Sequence, residues 1–294
     1  MNYKTLSLTI ISIVSLLTAC EANDGTAKTD LDLQSKGVAP LEHQSNETVA
    51  SAYSLKDGHY FAEELDYSVD GWKNIVNFDI INGEINNITF DAVNEEATAF
   101  KRDLSIKGEY TLNTKDSSTL EWHEQLTLIE KMVIKYQPFD KITIDSDQLK
   151  LSEITMDLNP FISLLNTAIT TGPIEVGPYQ DGHYYAQTSI ENSDSLHTIS
   201  LIVQNGYIIA VNWDTVLSDK ETKLASETTA GQELTKKWKE QSTLLEHHLL
   251  EIQDPMQMTF NENNKTNDIN GVTIDVHQFI ELATKALANG PLLN

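Results

Sequence analysis

"DGHYFAEEL", residues 57–65, decides the fold, because the chain writes it again as "DGHYYAQTS" at 181–189. A pattern that recurs 124 residues later calls for a longer repeat behind it, and a missed repeat misassigns the whole architecture. Three further pairs supply that repeat. "NGEINNITFD" (82–91) matches "NGYIIAVNWD" (205–214). "WHEQLTLIEKMVIKYQ" (122–137) matches "WKEQSTLLEHHLLEIQ" (238–253). "TMDLNPFISLLNTAITTGP" (155–173) matches "TIDVHQFIELATKALANGP" (273–291). The order is kept, and the offsets of 123, 116 and 118 drift only as loop insertions would make them drift. The chain therefore reads as two copies of one domain, 53–173 and 179–294. The period is too long for a solenoid unit, and each copy is large enough for its own core.

The elements repeat with the residues. "GHYFAEEL" and "GHYYAQTS" read as short strands after an Asp-Gly turn. "WKNIVNFDIINGEINNITFD" and "SLHTISLIVQNGYIIAVNWD" alternate apolar and polar about Asn-Gly, the strongest short hairpin signal. Leu126, Ile129, Val133 and Tyr136 are spaced for one helix face, as are Trp238, Leu245, Leu249 and Ile252. The last block is helical too. Asn159 and Pro160 fit the N-cap and first turn, as does Asp275 with Gln278 three residues on. Gly172-Pro173 and Gly290-Pro291 are stop signals. Each copy reads strand, hairpin, variable loop, helix, short strand or loop, closing helix. The fold class is α+β with an antiparallel sheet flanked by helices, not a βαβ nucleotide fold.

The first residues are not fold. "MNYKTLSLTIISIVSLLTAC" has a basic start, a short apolar core and small residues ahead of Cys20, the architecture of a secretory signal over 1–19. "LTAC" (Leu17 to Cys20) resembles the bacterial lipobox, which implies cleavage before Cys20 and lipid on its thiol. Residues 20–52 are polar, small and weakly patterned, and read as a flexible tether. The expected location is extracytoplasmic, lipid-anchored to the bacterial cell membrane through Cys20. Cys20 is the only cysteine, which excludes disulfides and thiolate-zinc sites.

Composition narrows the function classes. A hydrophobic share of 40% suffices for real cores. The net charge of −24, with no Lys/Arg run longer than two, argues against nucleic-acid binding. His247 and His248 are adjacent and point to different helix faces, so no metal site is expected there. His59 and His183, Asp91 and Asp214, and the Asp57-Gly58 and Asp181-Gly182 pairs all have plain structural readings. Trp122 and Trp238 read as core plugs of the first long helix. The chain shows no nucleophile elbow, phosphate loop or HExxH motif, so no hydrolase site is visible.

The order of these blocks resembles the bacterial FMN-binding domain family. That family includes the C and G subunits of the sodium-pumping NADH:quinone reductase and its relatives, and tandem-domain lipoproteins of the pheromone-precursor type. Its pattern runs from an Asp-Gly-x-Tyr strand through a hairpin with Asn-Gly-x-Ile and a helix ending in Gln. It closes on a loop of the type Asp-x-x-Ser-Gly-Ala-Thr before the last helix. The resemblance covers residues 53–294, and it implies FMN held by the loop Thr, as a phosphoester installed by a flavin transferase or non-covalently. A hydroxyl ahead of a helix suits a phosphate because the helix end presents N–H groups and positive potential. Here copy two reads "NDINGVT" (267–273), keeping Thr273 and Gly271, with Asn270 in the Ser position. Copy one reads "LKLSEIT" (149–155), keeping Ser152 and Thr155, with Glu153 in the Gly position. The resemblance implies an extracytoplasmic electron carrier with a redox partner. The alternative is a surface binding or interaction lipoprotein that keeps the fold without flavin, since both loops depart from the pattern. Related precursors also release a peptide pheromone from the signal, here within "ISIVSLLTA".

Overall fold

The computed structural model describes residues 55–112, 120–137, 154–222 and 228–292. Cys20, the signal and the tether, and Ser152 and Glu153 of the first loop, lie outside the described residues.

In copy one, β1 (Gly58–Glu63), β2 (Trp72–Ile81) and β3 (Glu84–Asn94) form an antiparallel sheet in the order β1-β2-β3. Asn82 and Gly83 join β2 to β3 with φ of 57° and 77°, the paired left-handed turn that Asn-Gly favours. Copy two repeats this in β4 (Gly182–Ser189), β5 (Leu196–Gln204) and β6 (Tyr207–Val216), turning at Asn205-Gly206. The middle strand of each sheet shifts register once, at Asp79/Ile80 and at Ile202/Val203.

Among the described residues, three helices follow the first hairpin: α1 (Lys101–Lys107), α2 (Trp122–Lys135) and α3 (Asn159–Thr171). After the second come α4 (Thr229–Ile252) and α5 (His277–Asn289), with a short 3-10 turn at Pro255–Gln257 between them. The α+β reading with antiparallel hairpin sheets holds. Four local expectations do not. The variable loop of copy one contains α1. Tyr136 lies beyond the last turn of α2 and is exposed, so it does not extend the apolar face of Leu126, Ile129 and Val133. Asn159 is already inside α3, and the carboxylate of Asp157 takes its N–H at 3.0 Å. Asp275 does the same for His277 N–H at 2.9 Å, without a reciprocal bond from Gln278. A carboxylate is well placed there because the helix end leaves N–H groups unpaired.

Each sheet buries one face under its own helices. Tyr60, Val76, Phe78, Ile85 and Phe90 pack with Trp122, Leu126, Ile129, Phe161 and Leu165 in copy one. Tyr184, Ile199, Leu201, Ile208 and Trp213 pack with Leu245, Leu249, Phe279 and Ala283 in copy two. Full burial of side chains of this size contributes roughly 1.5–3 kcal/mol each. Strand alternation sends Phe61, Ile75 and Val93 to the opposite face of sheet one. There they meet Ile202, Ile209 and Ala210 of sheet two in a third buried cluster. The two sheets are thus back to back, which explains why β5 is buried without a break from Thr198 to Val203. Residues 52–294 form one compact unit.

Polar bonds cross the same seam. Lys73, 3% exposed, donates to the Ile209 carbonyl at 2.6 Å and to Glu63 at 2.7 Å. His59 lies with Nδ1 2.7 Å from Asp79 and Nε2 2.7 Å from Asn205 Oδ1.

Candidate functional site

The residues that repeat between the copies are the natural places to seek a site, and their side chains have definite partners. The Asp that opens each twin stretch holds the hairpin tip. Asp57 accepts from Asn82 and Gly83 N–H at 2.9 and 2.8 Å, and Asp181 accepts from Gly206 N–H at 2.8 Å. These bonds hold the Asp57 carboxyl below its usual range. The two sequence signatures, Asp-Gly-His-Tyr and Asn-Gly, therefore recur together because they touch. Tyr60 and Tyr184 each donate to the carbonyl four residues upstream, Lys56 and Gln180. Glu130, half-buried on α2, and Glu246, buried on α4, accept from the N–H of Phe90 and Trp213 at 2.9 and 2.8 Å. Burial pushes Glu246 up to about 7 against the nearby Lys239 ammonium. Gln137 and Gln253, which close the long helices, bridge both backbone groups of Ile85 and Ile208.

The threonine loops follow the same rule. Thr155 lies three residues before the N-cap of α3, and Thr273 three before that of α5. Both are exposed. Gln125 Oε1 accepts from the N–H of Thr155 and Met156 at 2.8 and 3.2 Å, while its amide donates to Thr155 Oγ1 at 3.1 Å. Gln241 Oε1 accepts from the N–H of Thr273 and Ile274 at 2.5 and 3.1 Å, and from the Thr273 hydroxyl at 3.0 Å. One glutamine from each long helix, Gln125 in the first turn of α2 and Gln241 in the middle of α4, thus clasps each loop. It was visible in "WHEQ" and "WKEQ" as a repeated residue, but not as the partner of a threonine about thirty positions away.

The structure brings Thr273, Gly271 and Asn270 together on one exposed turn, with Gly271 at φ 89° and Val272 tucked inward. Thr155 stands alone among the described residues of its loop's predicted set. The arrangement can be tested against a phosphate on either hydroxyl. Such an ester needs N–H donors or a cation beside it. At Thr273 the two nearest N–H groups are taken by Gln241, and the helix N–H of His277 is taken by the Asp275 carboxylate. At Thr155 the same positions are taken by Gln125 and Asp157. Among the described residues, no Lys or Arg side chain bonds to either loop. The donors nearest each hydroxyl are thus engaged, and the free donors on the second loop, among the described residues, include the Gly271 N–H and the Asn270 side chain.

No family model matches this chain. No curated protein matches it either. Two solved structures are similar to parts of it. One is a solution NMR structure of a Clostridium thermocellum protein, 27% identical, covering 40% of this chain and 92% of its own, with a TM-score of 0.28. The other is a crystal structure of a Clostridium perfringens protein, 24% identical, covering 40% of this chain and 88% of its own, with a TM-score of 0.31.

The aromatic residues sit apart from these comparisons as packing. Trp122 is buried, and Trp238 packs against Trp213 with ring centroids 5.0 Å apart and planes tilted by 50°. An arrangement that periodicity did not reveal surrounds Lys101. Its ammonium lies 5.0, 4.5 and 5.3 Å from the ring centroids of Trp72, Tyr110 and Trp122. The cage is filled by the chain's own cation, which ties α1 to the core. Lys101 has no partner in the repeat to mark it, so only the fold could show this.

Proposed function

We propose that this chain is a lipid-anchored extracytoplasmic binding lipoprotein that keeps a flavin-domain scaffold without holding flavin. One observation supports the reading above the others: the Gln125 and Gln241 amides occupy, in both copies, the N–H groups a phosphate would need. The net charge of −24 favours a basic partner. Anchoring would run through Cys20, so Cys20→Ser should release the chain from the membrane fraction.

A second reading has its own support. The Thr273 hydroxyl is exposed and Gly271 leaves its flank without a side chain. With FMN installed there by a transferase, the chain would carry electrons to a redox partner, the cofactor supplying the redox chemistry. Co-expression of 20–294 with a flavin transferase separates the two. We expect no fluorescent band on a denaturing gel, and a colourless native protein after saturation with FMN and washing. A fluorescent band abolished by Thr273→Val or Thr155→Val would overturn the flavin-free reading, and so would native protein that stays yellow.

A further inference from the structure

Four Asn-Gly pairs lie among the described residues: Asn82-Gly83, Asn205-Gly206, Asn270-Gly271 and Asn289-Gly290. Such a pair can rearrange without an enzyme. The glycine nitrogen loses its proton and attacks the asparagine Cγ, a C–N bond forms, and ammonia leaves. Water then opens the cyclic succinimide at either carbonyl, giving aspartate or isoaspartate. The step needs a glycine N–H able to give up its proton and an amide able to swing onto it. A hydrogen bond from that N–H opposes both.

Three of the four pairs are held in this way. Gly83 N–H donates to Asp57 at 2.8 Å, Gly206 N–H to Asp181 at 2.8 Å, and Gly290 N–H to the Leu287 carbonyl at 3.3 Å. Asn205 is in addition buried, 5% exposed. At the fourth pair, neither the Gly271 N–H nor the Asn270 side chain has a hydrogen-bond partner among the described residues, and both residues are exposed. The turn is open as well: the nearest atom to a Cβ on Gly271 would be Leu244 Cδ1 at 3.5 Å.

We propose that Asn270 is a site of spontaneous deamidation in the folded protein, the one pair of the four that the fold leaves unprotected. The product places a carboxylate on the loop that already carries Asp268 and Asp275, three residues from Thr273. In the isoaspartate form the main chain also runs through an extra methylene at that turn. The inference stands apart from the binding role, because it concerns the asparagine and its neighbour glycine alone.

The test is to hold the purified chain in mildly alkaline buffer at physiological temperature and follow all four pairs by peptide mapping. Electron-transfer fragmentation separates isoaspartate from aspartate. Conversion at position 270 should run several-fold ahead of positions 82, 205 and 289, with isoaspartate in excess. Asp57→Ala, which releases the Gly83 N–H, should bring Asn82 towards the rate of Asn270. If that variant does not fold, the four sites of the wild-type chain decide alone. Conversion at Asn82, Asn205 or Asn289 equal to or ahead of Asn270 in the wild-type chain overturns the proposal.

Discussion

The side chain of Gln253 and the backbone of Ile208 pair head to tail: Gln253 Oε1 accepts from Ile208 N–H at 2.7 Å, and Gln253 Nε2 donates to the Ile208 carbonyl at 2.9 Å. This ties the end of α4 to the start of β6. Gln253→Ala removes both bonds and leaves two strand groups without partners. The urea midpoint should fall by an amount equivalent to about 1–3 kcal/mol. Gln253 has φ 64°, a left-handed conformation that costs glutamine and alanine alike because both carry a Cβ, so the alanine variant isolates the loss of the amide pair. Gln253→Gly loses the same bonds but sheds the left-handed strain, so it should be more stable than Gln253→Ala by about 1–2 kcal/mol; an alanine variant as stable as the wild type would mean that the amide pair contributes nothing.

The Lys73 ammonium is a buried link between the copies, bonded to Glu63 and to the Ile209 carbonyl. Lys73→Met leaves both acceptors behind. The cost of breaking a buried pair in this way is about 3–5 kcal/mol. The low end applies here, because the Glu63 side chain is 33% exposed. Burial already raises the Glu63 carboxyl against the pull of Lys73. Lys73→Met with Glu63→Gln should therefore be more stable than Lys73→Met alone, which a double-mutant cycle by chemical denaturation would read directly.

Glu246 gives a pH dependence with a definite sign. Its carboxyl is raised from the ordinary 4.5 to about 7, with burial the largest cause. The folded chain thus holds this proton more tightly than the unfolded chain. The stability it contributes is full below about 4.5 and is lost as pH rises through about 7. Glu246→Gln keeps an acceptor for Trp213 N–H and carries no charge. It should gain on the wild type as pH rises, by at most about 3 kcal/mol once above neutrality. Loss of the Lys239 attraction works against that gain. Melting curves that differ equally at acid and alkaline pH would show that Glu246 does not titrate as described.

Gly177 and Gly206 approach so closely that a Cβ on Gly177 would sit 2.3 Å from the Gly206 carbonyl oxygen. That atom is backbone and cannot swing aside. Gly177→Ala should cost about 1–3 kcal/mol or more. The hairpin glycine of copy one offers the contrast. Gly83 has φ 77°, but nothing lies closer to its Cβ position than the Leu55 carbonyl at 3.9 Å. Gly83→Ala should cost only the left-handed conformation, about 1–2 kcal/mol. Thermal melts of the two variants should separate in that order.

How much of this could be read beforehand depends on what each residue touches. The hairpins were legible because Asn82-Gly83 and Asn205-Gly206 need positive φ at both positions, a local demand. The helix faces of Leu126, Ile129, Val133 and of Leu245, Leu249 were legible from spacing. The α1 helix was not. Its seven residues are too few for a period to show, and its Lys101 finds its aromatic cage only after folding. The covering of Ile202 and Ile209 by Phe61 and Ile75 was hidden as well, since a continuous apolar strand does not say what lies on its second face. At the loops, the positions of Thr155 and Thr273 were legible from the pattern. Their chemistry was not, because the glutamine amides that meet them come from a different helix.

The back-to-back sheets have a consequence for how the chain holds itself together. The seam of Phe61, Ile75, Val93, Ile202 and Ile209 is joined by the short peptide running from Gly172 to Asp181. That connection fixes the effective concentration at which the two faces meet, so their pairing does not depend on how much protein is present. Cut the chain there, and the same seam becomes a bimolecular equilibrium that dilution can dissolve.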